Sequence, residues 1–216
     1  MKVFLVRHVE CKANTADVIL GAGESPLTKK GRAQAKALAR FFANKKIDVI
    51  YSSPLSRAVD TAKAIAGTVA EPVAGQRKEI IVDARLIERS LGLLQGLCMA
   101  DALSAYPHAF KKNNLGANTK LIFHPPGGET WPDARKRMKA FFAELLQTNS
   151  KNVVVVSHSD AIRSVLGYWL GKSLQEYFLI PQANACVNEI KLTARGVKVI
   201  KVNYVKHLAE KQVNNF

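Results

Sequence analysis

The first ten residues, Met1 to Glu10 (MKVFLVRHVE), contain the stretch that decides the fold. Residues 3–6 form a continuous apolar run with the length and composition expected of a buried strand. Arg7 and His8 follow that run directly. Because ligands in open α/β sheets bind just beyond the carboxyl ends of the strands, this order places a cation and an imidazole at a candidate ligand site. Such a pair is suited to attack on a phosphate group.

Two further apolar runs end in polar residues in the same way. Residues 49–51 lead into Ser-Ser-Pro-Leu-Ser-Arg57, and residues 153–156 lead into Ser-His158. Arg57 is expected in the first turn of a helix, where free N–H groups and the positive end of the dipole favour an anion. We therefore expect the three strands to bring two histidines and two arginines to one edge of a sheet.

The alternation of apolar runs and helical patterns predicts the fold class. The predicted strands cover residues 2–7, 48–52, 79–82, 152–157, 185–192 and 197–204. The predicted helices cover residues 28–44, 55–69, 99–110, 129–148 and 160–170, with Thr28 as an N-cap. This order predicts an α/β three-layer sandwich, a mostly parallel sheet with helices on both faces. The last two strands flank Ala194-Arg-Gly196, which predicts a hairpin and thus an antiparallel strand near the C-terminus.

Length and composition favour one domain that spans residues 1–216. The chain has 216 residues, is 48% hydrophobic and contains no linker, repeat or low-complexity tract. Its three cysteines give no even-numbered disulfide framework, and no apolar stretch approaches the ~20 residues of a membrane span. We therefore expect a cytoplasmic protein without a membrane partner. The sequence leaves the oligomeric state open.

The formal net charge of +15 is a separate feature. Between Thr28 and Lys46 seven basic residues occur without an acidic one, and residues 135–139 form a second basic group. Such a field can steer anionic substrates toward a site, and a solvated basic surface is the alternative interpretation. Because few aromatic residues alternate with these charges along the sequence, we expect no specific binding of nucleic acid.

Five blocks of the sequence, in order over nearly the whole chain, resemble the histidine phosphatase superfamily, which includes cofactor-dependent phosphoglycerate mutases. Arg7-His8-Val9-Glu10 is similar to the Arg-His-Gly-Glu signature of that family. The other similar blocks are residues 25–35, residues 52–58, the proton-donor block 86–96 around Glu88, and Val156-Ser-His158. The family's usual fold and chemistry are therefore expected here.

The resemblance implies a two-step phosphoryl transfer. His8 would attack the phosphorus and form a phosphohistidine, which water would then hydrolyse. Glu88 would protonate the leaving oxygen, and His158 would complete the catalytic set. The implied phosphate-binding residues are Arg7, Asn14, Arg57 and Ser159. Glu129 is either a second acid or a glutamate that compensates a helix dipole.

The middle of the chain bears on the choice between hydrolysis and isomerisation. His124-Pro-Pro-Gly-Gly-Glu-Thr130 resembles a segment of the phosphatase branch, and residues 96–124 are short for the insertion that mutases use. The resemblance thus favours a phosphatase for a small phosphorylated substrate, with specificity in segment 97–124. The histidine spacing shows no metal-binding motif, and we expect neither a metal nor a cofactor.

Two alternatives to the phosphatase stay open. One is a cofactor-dependent phosphoglycerate mutase. The other is a catalytically weak phosphate-binding member, because Val9 and Ser159 stand where the family usually has glycine. Glycine at such places often serves a positive φ or a close approach to the ligand.

Overall fold

A six-stranded sheet organises the part of the chain that the structure, a computed structural model, describes: residues 1–69, 78–112 and 120–213. Its strands are β1 (Lys2–Arg7), β2 (Val49–Ser52), β3 (Ile80–Val82), β6 (Asn152–Ser157), β7 (Val187–Thr193) and β8 (Gly196–Tyr204). A separate antiparallel pair consists of β4 (Phe110–Lys112) and β5 (Lys120–Ile122). In the large sheet the strand order is β3-β2-β6-β1-β7-β8.

The pairing confirms the predicted sheet. β1 pairs in parallel with β6, β6 with β2, and β2 with β3. β7 runs antiparallel to both of its neighbours, β1 and β8, and the β7–β8 turn lies at the predicted Ala194-Arg-Gly196. The sheet is therefore mostly parallel, with one antiparallel strand near the C-terminus.

Helices cover both faces of the sheet. They are α1 (Lys29–Phe42), α2 (Ser56–Ala66), α3 (Met99–Ala105), α4 (Trp131–Leu145) and α5 (Ser159–Trp169). Side chains alternate along β1: Phe4 and Val6 pack with residues of α1 and α2, whereas Val3 and Leu5 pack with residues of α4 and α5. A strand buried on both faces explains why residues 3–6 read as an unbroken apolar run.

Thr28 and Gly31 allow the start of α1 to pack against the loop that follows β1. The Thr28 hydroxyl accepts a hydrogen bond from the Gly31 N–H (2.9 Å), which confirms the predicted N-cap. A side chain at Gly31 would meet the Glu10 carbonyl oxygen, because a Cβ there would lie 1.9 Å from it. Glycine therefore allows α1 to pack directly on the loop that follows His8.

The helices expected over residues 99–110 are α3, which ends at Ala105, and a 3₁₀ helix over Pro107–Ala109, after which β4 begins at Phe110. Pro107 lies two residues beyond Ala105, and a proline disfavours helical backbone at the residue before it. Part of the expected specificity segment, residues 113–119, lies outside the described residues. Among the helices that the structure describes, none combines the length and apolarity needed to cross a membrane.

Candidate active site

The predicted site residues meet at the carboxyl ends of β1, β2 and β6. A cavity of about 180 Å³ lies there. Six of the predicted residues line it: Arg7, His8, Asn14, Arg57, Glu88 and Ser159. His158 lies beside them, because its ring centroid is 5.0 Å from that of His8. The structure therefore brings together seven of the eight predicted residues.

Hydrogen bonds define the tautomer of His8. Its Nδ1 lies 2.7 Å from the Val9 carbonyl oxygen, which can only accept, so Nδ1 carries the proton. Nε2 then holds the lone pair and accepts a hydrogen bond from Arg57 Nε (3.3 Å). The backbone on both sides is also tied, since the His8 N–H donates to Ser157 O and the Ala185 N–H donates to His8 O. The site thus presents a fixed imidazole with an available lone pair at Nε2.

Burial keeps this imidazole neutral. The pKa of His8 lies well below its ordinary value, first because burial disfavours the charged form and then because of the charges on Arg57 and Arg7. A neutral ring retains its lone pair at and below neutral pH. The environment is therefore that of a nucleophile or a proton acceptor.

Two buried arginines supply fixed positive charge. Arg57 donates from Nη1 to Gly23 O (2.6 Å) and from Nη2 to Gly21 O (3.1 Å). Arg7 donates from Nη1 to Gln182 O. Burial is the largest cause that lowers the pKa of Arg7 to about 10, so it stays charged at neutral pH. Backbone carbonyls thus hold both guanidinium groups in place without neutralising them.

His158 follows β6 and is the residue from which α5 begins. Its Nε2 lies 2.7 Å from Ser53 Oγ, and its buried Nδ1 has no hydrogen-bond partner among the residues the structure describes. Burial is the largest cause that holds its pKa well below the ordinary value, followed by His8 and the two arginines. The site therefore contains two neutral imidazoles side by side.

Glu88 contacts the first turn of α5. Its carboxylate accepts hydrogen bonds from the N–H groups of Asp160 (3.2 Å) and Ala161 (2.9 Å) and from the Ser159 hydroxyl (3.4 Å). Its pKa is nevertheless raised, first by burial and then by the charge of Asp160, and these outweigh the N–H donors. A raised pKa suits a carboxyl group that must donate a proton.

Asn184 is a site residue that the sequence reasoning missed. Its Nδ2 donates to the His8 carbonyl (3.2 Å) and to Asn14 Oδ1 (3.1 Å). Asn184 therefore links the backbone of His8 to the side chain of Asn14, which lines the cavity. The next residue, Ala185, has a φ of +61°. A non-glycine residue in the left-handed region costs about 1–2 kcal/mol, which the surrounding structure must offset. An asparagine in a loop before an end strand is the only signal that the sequence offered.

Three more residues complete the surroundings of the cavity without having been singled out. Ser53 contacts His158, and Arg89 and Asp160 line the cavity as an ion pair (Nη2 to Oδ2, 2.9 Å). Each is a sequence neighbour or near neighbour of a predicted residue. Sequence proximity to Glu88 and His158 could have found Arg89 and Asp160, and proximity to Arg57 could have found Ser53.

Glu129 is the predicted residue that the structure places elsewhere. Its carboxylate forms a two-point ion pair with Arg137 (2.7 and 2.8 Å) and accepts the Ser90 N–H (3.1 Å). These contacts tie the loop after Glu88 to α4. These contacts give Glu129 a structural role, and the two roles predicted for it, a second acid and compensation of the helix dipole, stay predictions.

Val9 and Ser159 do not need glycine backbone. In the part of the chain that the structure describes, positive φ at a non-glycine residue occurs at Ala185 and Asn203. Val9 is fully buried in the core between the sheet and α1 and α2, and Ser159 begins α5. The two departures from the family pattern therefore fit the backbone that carries them.

The fold and the site define a protein of the α/β class with a buried, cationic, two-histidine cavity suited to a phosphate group. Comparison with known families agrees with this geometry. The family model described as histidine phosphatase superfamily (branch 1) matches residues 3–205. The chain belongs to that superfamily.

Individual relatives cover most of the chain. Phosphoserine phosphatase 1 of Hydrogenobacter thermophilus is 31% identical over 211 residues, which is 97% of this chain and 95% of the relative. A 2,3-bisphosphoglycerate-dependent phosphoglycerate mutase of Gloeobacter violaceus is 32% identical over 165 residues, 75% of this chain and 72% of the relative. The solved structure of Bacillus stearothermophilus YhfR superposes with a TM-score of 0.81 at 24% identity, covering 95% of this chain and 98% of that one, and shows the same fold.

Proposed function

We propose that this protein hydrolyses small phosphate monoesters through a phosphohistidine on His8, with Glu88 as the proton donor and without a metal ion. The observation that carries the proposal is the lone pair of His8 Nε2, held next to two buried arginines in one small cavity. The near full-length phosphoserine phosphatase relative supports hydrolysis as the reaction. Phosphoserine is therefore the first natural substrate to test.

In the first step the Nε2 lone pair attacks phosphorus in line with the ester oxygen. The P–N bond forms, the P–O ester bond breaks, and the leaving oxygen takes the proton of Glu88. Arg57 Nε donates to Nε2 in the resting site, so this N–H must turn to a phosphoryl oxygen as attack begins. Fixed donors aimed at the developing charge supply most of the stabilisation that phosphoryl transfer needs.

In the second step water attacks the phosphohistidine. The Glu88 carboxylate accepts the proton of that water, the P–N bond breaks, and the electron pair returns to Nε2. Inorganic phosphate leaves, and both groups regain their starting states. We assign the Nδ1–H of His158 to a phosphoryl oxygen, since Nδ1 has no other partner among the described residues.

A phosphoglycerate mutase is the second candidate, because one relative of comparable identity is such an enzyme. The primer of such a mutase, 2,3-bisphosphoglycerate, carries two phosphate groups. The cavity of about 180 Å³ is smaller than the ~300–1,000 Å³ typical of drug-sized ligands and favours a ligand with one phosphate group. Stimulation of 2- and 3-phosphoglycerate interconversion by 2,3-bisphosphoglycerate would identify the mutase.

The test is hydrolysis of p-nitrophenyl phosphate and phosphoserine from pH 5 to 8 with a chelator present. We compare the wild type with His8→Ala and with Lys198→Ala, an exposed residue of β8 outside the cavity. We expect activity that survives the chelator, persists in Lys198→Ala and disappears in His8→Ala. Acid-labile label on the wild type after a brief reaction with ³²P substrate would identify the intermediate.

Other outcomes separate the alternatives. Loss of activity on chelation overturns metal independence. Thermal stabilisation by phosphate without label on His8 or turnover indicates a phosphate-binding member that is not an enzyme.

A further inference from the structure

A second cavity, of about 400 Å³, extends along the sheet from the amino end of β1, the end opposite to His8. Lys2 and Asn152, the first residues of β1 and β6, line it, whereas His8 and His158 follow the last residues of the same strands. Six residues of strand span about 20 Å. The cavity reaches Val187, which pairs with Val6, but it shares no lining residue with the catalytic cavity and is separate from it.

The lining of this cavity is strongly cationic. It contains four lysines, namely Lys2, Lys45, Lys46 and Lys201. Its one carboxylate, Glu189, pairs with Lys2 (Nζ to Oε1, 3.0 Å). Among the described residues, the other three lysines have no carboxylate within ion-pair distance. The cavity thus holds an excess of positive charge, with four lysines against one carboxylate.

Aromatic rings hold three of these lysines. The Nζ of Lys45 lies 4.1 Å from the centroid of Phe41, and the Nζ of Lys201 lies 4.8 Å from that of Tyr204. Lys2 lies in the same way over Phe4, at 5.0 Å. All three rings line the cavity as well.

A ring contact differs from an ion pair in its consequence for a ligand. A carboxylate partner would orient the ammonium group and cancel its charge, whereas the face of a ring orients it and leaves the charge intact. Lysine side chains that are already oriented lose less conformational entropy when an anion binds. The lysines and rings of this cavity therefore form a preorganised site for an anion.

We propose that this cavity is a second anion site, which binds ligands that carry two or more adjacent phosphate groups. Three ammonium groups without an ion pair match several negative charges better than one. A neighbouring cavity extends the basic surface, because it shares Lys2 and Glu189 with this one and adds Lys151 and Lys191. A row of phosphates, from a free polyphosphorylated compound or from a nucleic-acid backbone, fits this extended surface.

The site also accounts for part of the net charge that the catalytic cavity leaves unexplained. Lys45 and Lys46 end the basic run that begins at Thr28, and the fold places them beside Lys2 and Lys201. Aromatic residues do not alternate with these lysines along the chain, but the fold interleaves them in space. We expect this cavity to bind phosphate groups without specificity for the bases of a nucleic acid.

The test is an NMR titration of the ¹⁵N-labelled full chain with sodium triphosphate and, separately, with a ten-nucleotide oligothymidylate. Shifts at the amides of Lys2, Lys45 and Lys201 report this cavity, and shifts around His8 report the catalytic one. In Lys45→Gln/Lys201→Gln we expect binding at the second cavity to weaken about tenfold or more, because two ammonium contacts are lost. Hydrolysis of p-nitrophenyl phosphate should stay unchanged.

Lys136→Gln/Lys139→Gln is the matched control. It removes the same charge, and Lys139 also lies over a ring, that of Tyr168 (4.2 Å), but neither lysine lines the cavity. We expect its affinity to equal that of the wild type. Equal weakening in both double variants, or triphosphate shifts confined to the His8 cavity, would overturn the proposal.

The two ligands then distinguish the source of the phosphates. Tighter, strongly salt-dependent binding of the oligothymidylate at the same amides indicates a nucleic-acid backbone. Tighter binding of triphosphate indicates a free phosphorylated compound.

Discussion

Both ends of the central sheet collect positive charge, but they hold it in different ways. At the carboxyl ends of the strands, Arg7 and Arg57 are buried and backbone carbonyls fix them, as in the 2.6 Å contact from Arg57 Nη1 to Gly23 O. At the amino ends, Lys2 and Lys201 are exposed, and Lys45 and Lys201 lie over aromatic rings in an open cavity. The positive groups are therefore buried and fixed at the carboxyl ends of the strands, and exposed to ligands at the amino ends.

The difference indicates which end can catalyse. Phosphoryl transfer is accelerated by donors that already point at the position where charge develops, which buried arginines provide. Lysines on flexible stems bind and attract anions over a longer range without defining a reaction geometry. We therefore expect substitutions at the carboxyl end to affect turnover and substitutions at the amino end to affect binding of polyanions.

The largest effect is expected from Glu88→Gln, which keeps the shape of the side chain and removes its transferable proton. We expect kcat to fall about 10²- to 10⁴-fold, the usual contribution of general acid–base catalysis. Glu129→Gln is the control, since Arg137 binds that carboxylate outside the cavity, and it should keep most of the wild-type kcat. Steady-state kinetics with phosphoserine or p-nitrophenyl phosphate measure both. Equal losses would mean that Glu88 is not the acid.

A reciprocal pair of substitutions sharpens the comparison of the two ends. Arg57→Lys keeps the charge but cannot reach Gly21 O, Gly23 O and His8 Nε2 together, so we expect kcat to fall about 10²- to 10³-fold. Lys201→Arg at the open cavity should leave kcat unchanged. Comparable activity of Arg57→Lys and wild type would show that charge alone, without geometry, is enough.

Val9→Gly restores the glycine usual in the family and should destabilise the protein. Val9 is fully buried and does not have a positive φ, so glycine removes apolar contact and relieves no strain. We expect the free energy of unfolding to fall by about 2–3 kcal/mol, without a gain in kcat. Urea unfolding followed by circular dichroism measures the loss. A rise in activity would show that valine restricts the site.

Acid should lower the stability of the folded protein through His8 and His158. The pKa values of His8 and His158 are lowered in the folded state, so below about pH 6.5 the unfolded chain binds protons that the folded chain does not. Stability is then full above pH 6.5 and falls as pH decreases, by up to about 1.4 kcal/mol per pH unit for each histidine. Thermal unfolding from pH 7.5 to 5 measures the slope, which His8→Asn should reduce and Lys45→Gln/Lys201→Gln should not.

The smallest effect on stability is expected from substitution of the lysines that line the second cavity. Lys45→Gln/Lys201→Gln should change the free energy of unfolding by no more than about 0.5 kcal/mol, as usual for surface substitutions. Urea unfolding beside the wild type measures it. A larger loss would mean that the ring contacts stabilise the fold and are not primarily a ligand site.

Local pattern was enough to predict the elements that build the catalytic end. An apolar run followed by polar residues predicts a buried strand and its end, and this placed Arg7, His8, Arg57 and His158 at one edge. The family resemblance added Glu88, which no local pattern singled out. The helices predicted over residues 99–110 are present, and the break between them lies at Tyr106, just before Pro107.

What the sequence determined by itself was the layered sheet and the chemical types at its carboxyl edge, because apolar periodicity and strand ends are local properties. Only the tertiary structure decided which atoms act together. The tautomer of His8 depends on Val9 O and on Arg57 Nε, the tie to Asn14 depends on Asn184, and the second cavity depends on lysines from both ends of the chain. Apart from the contact between the neighbours His8 and Val9, these contacts join residues far apart in sequence, and strand register and helix packing set them.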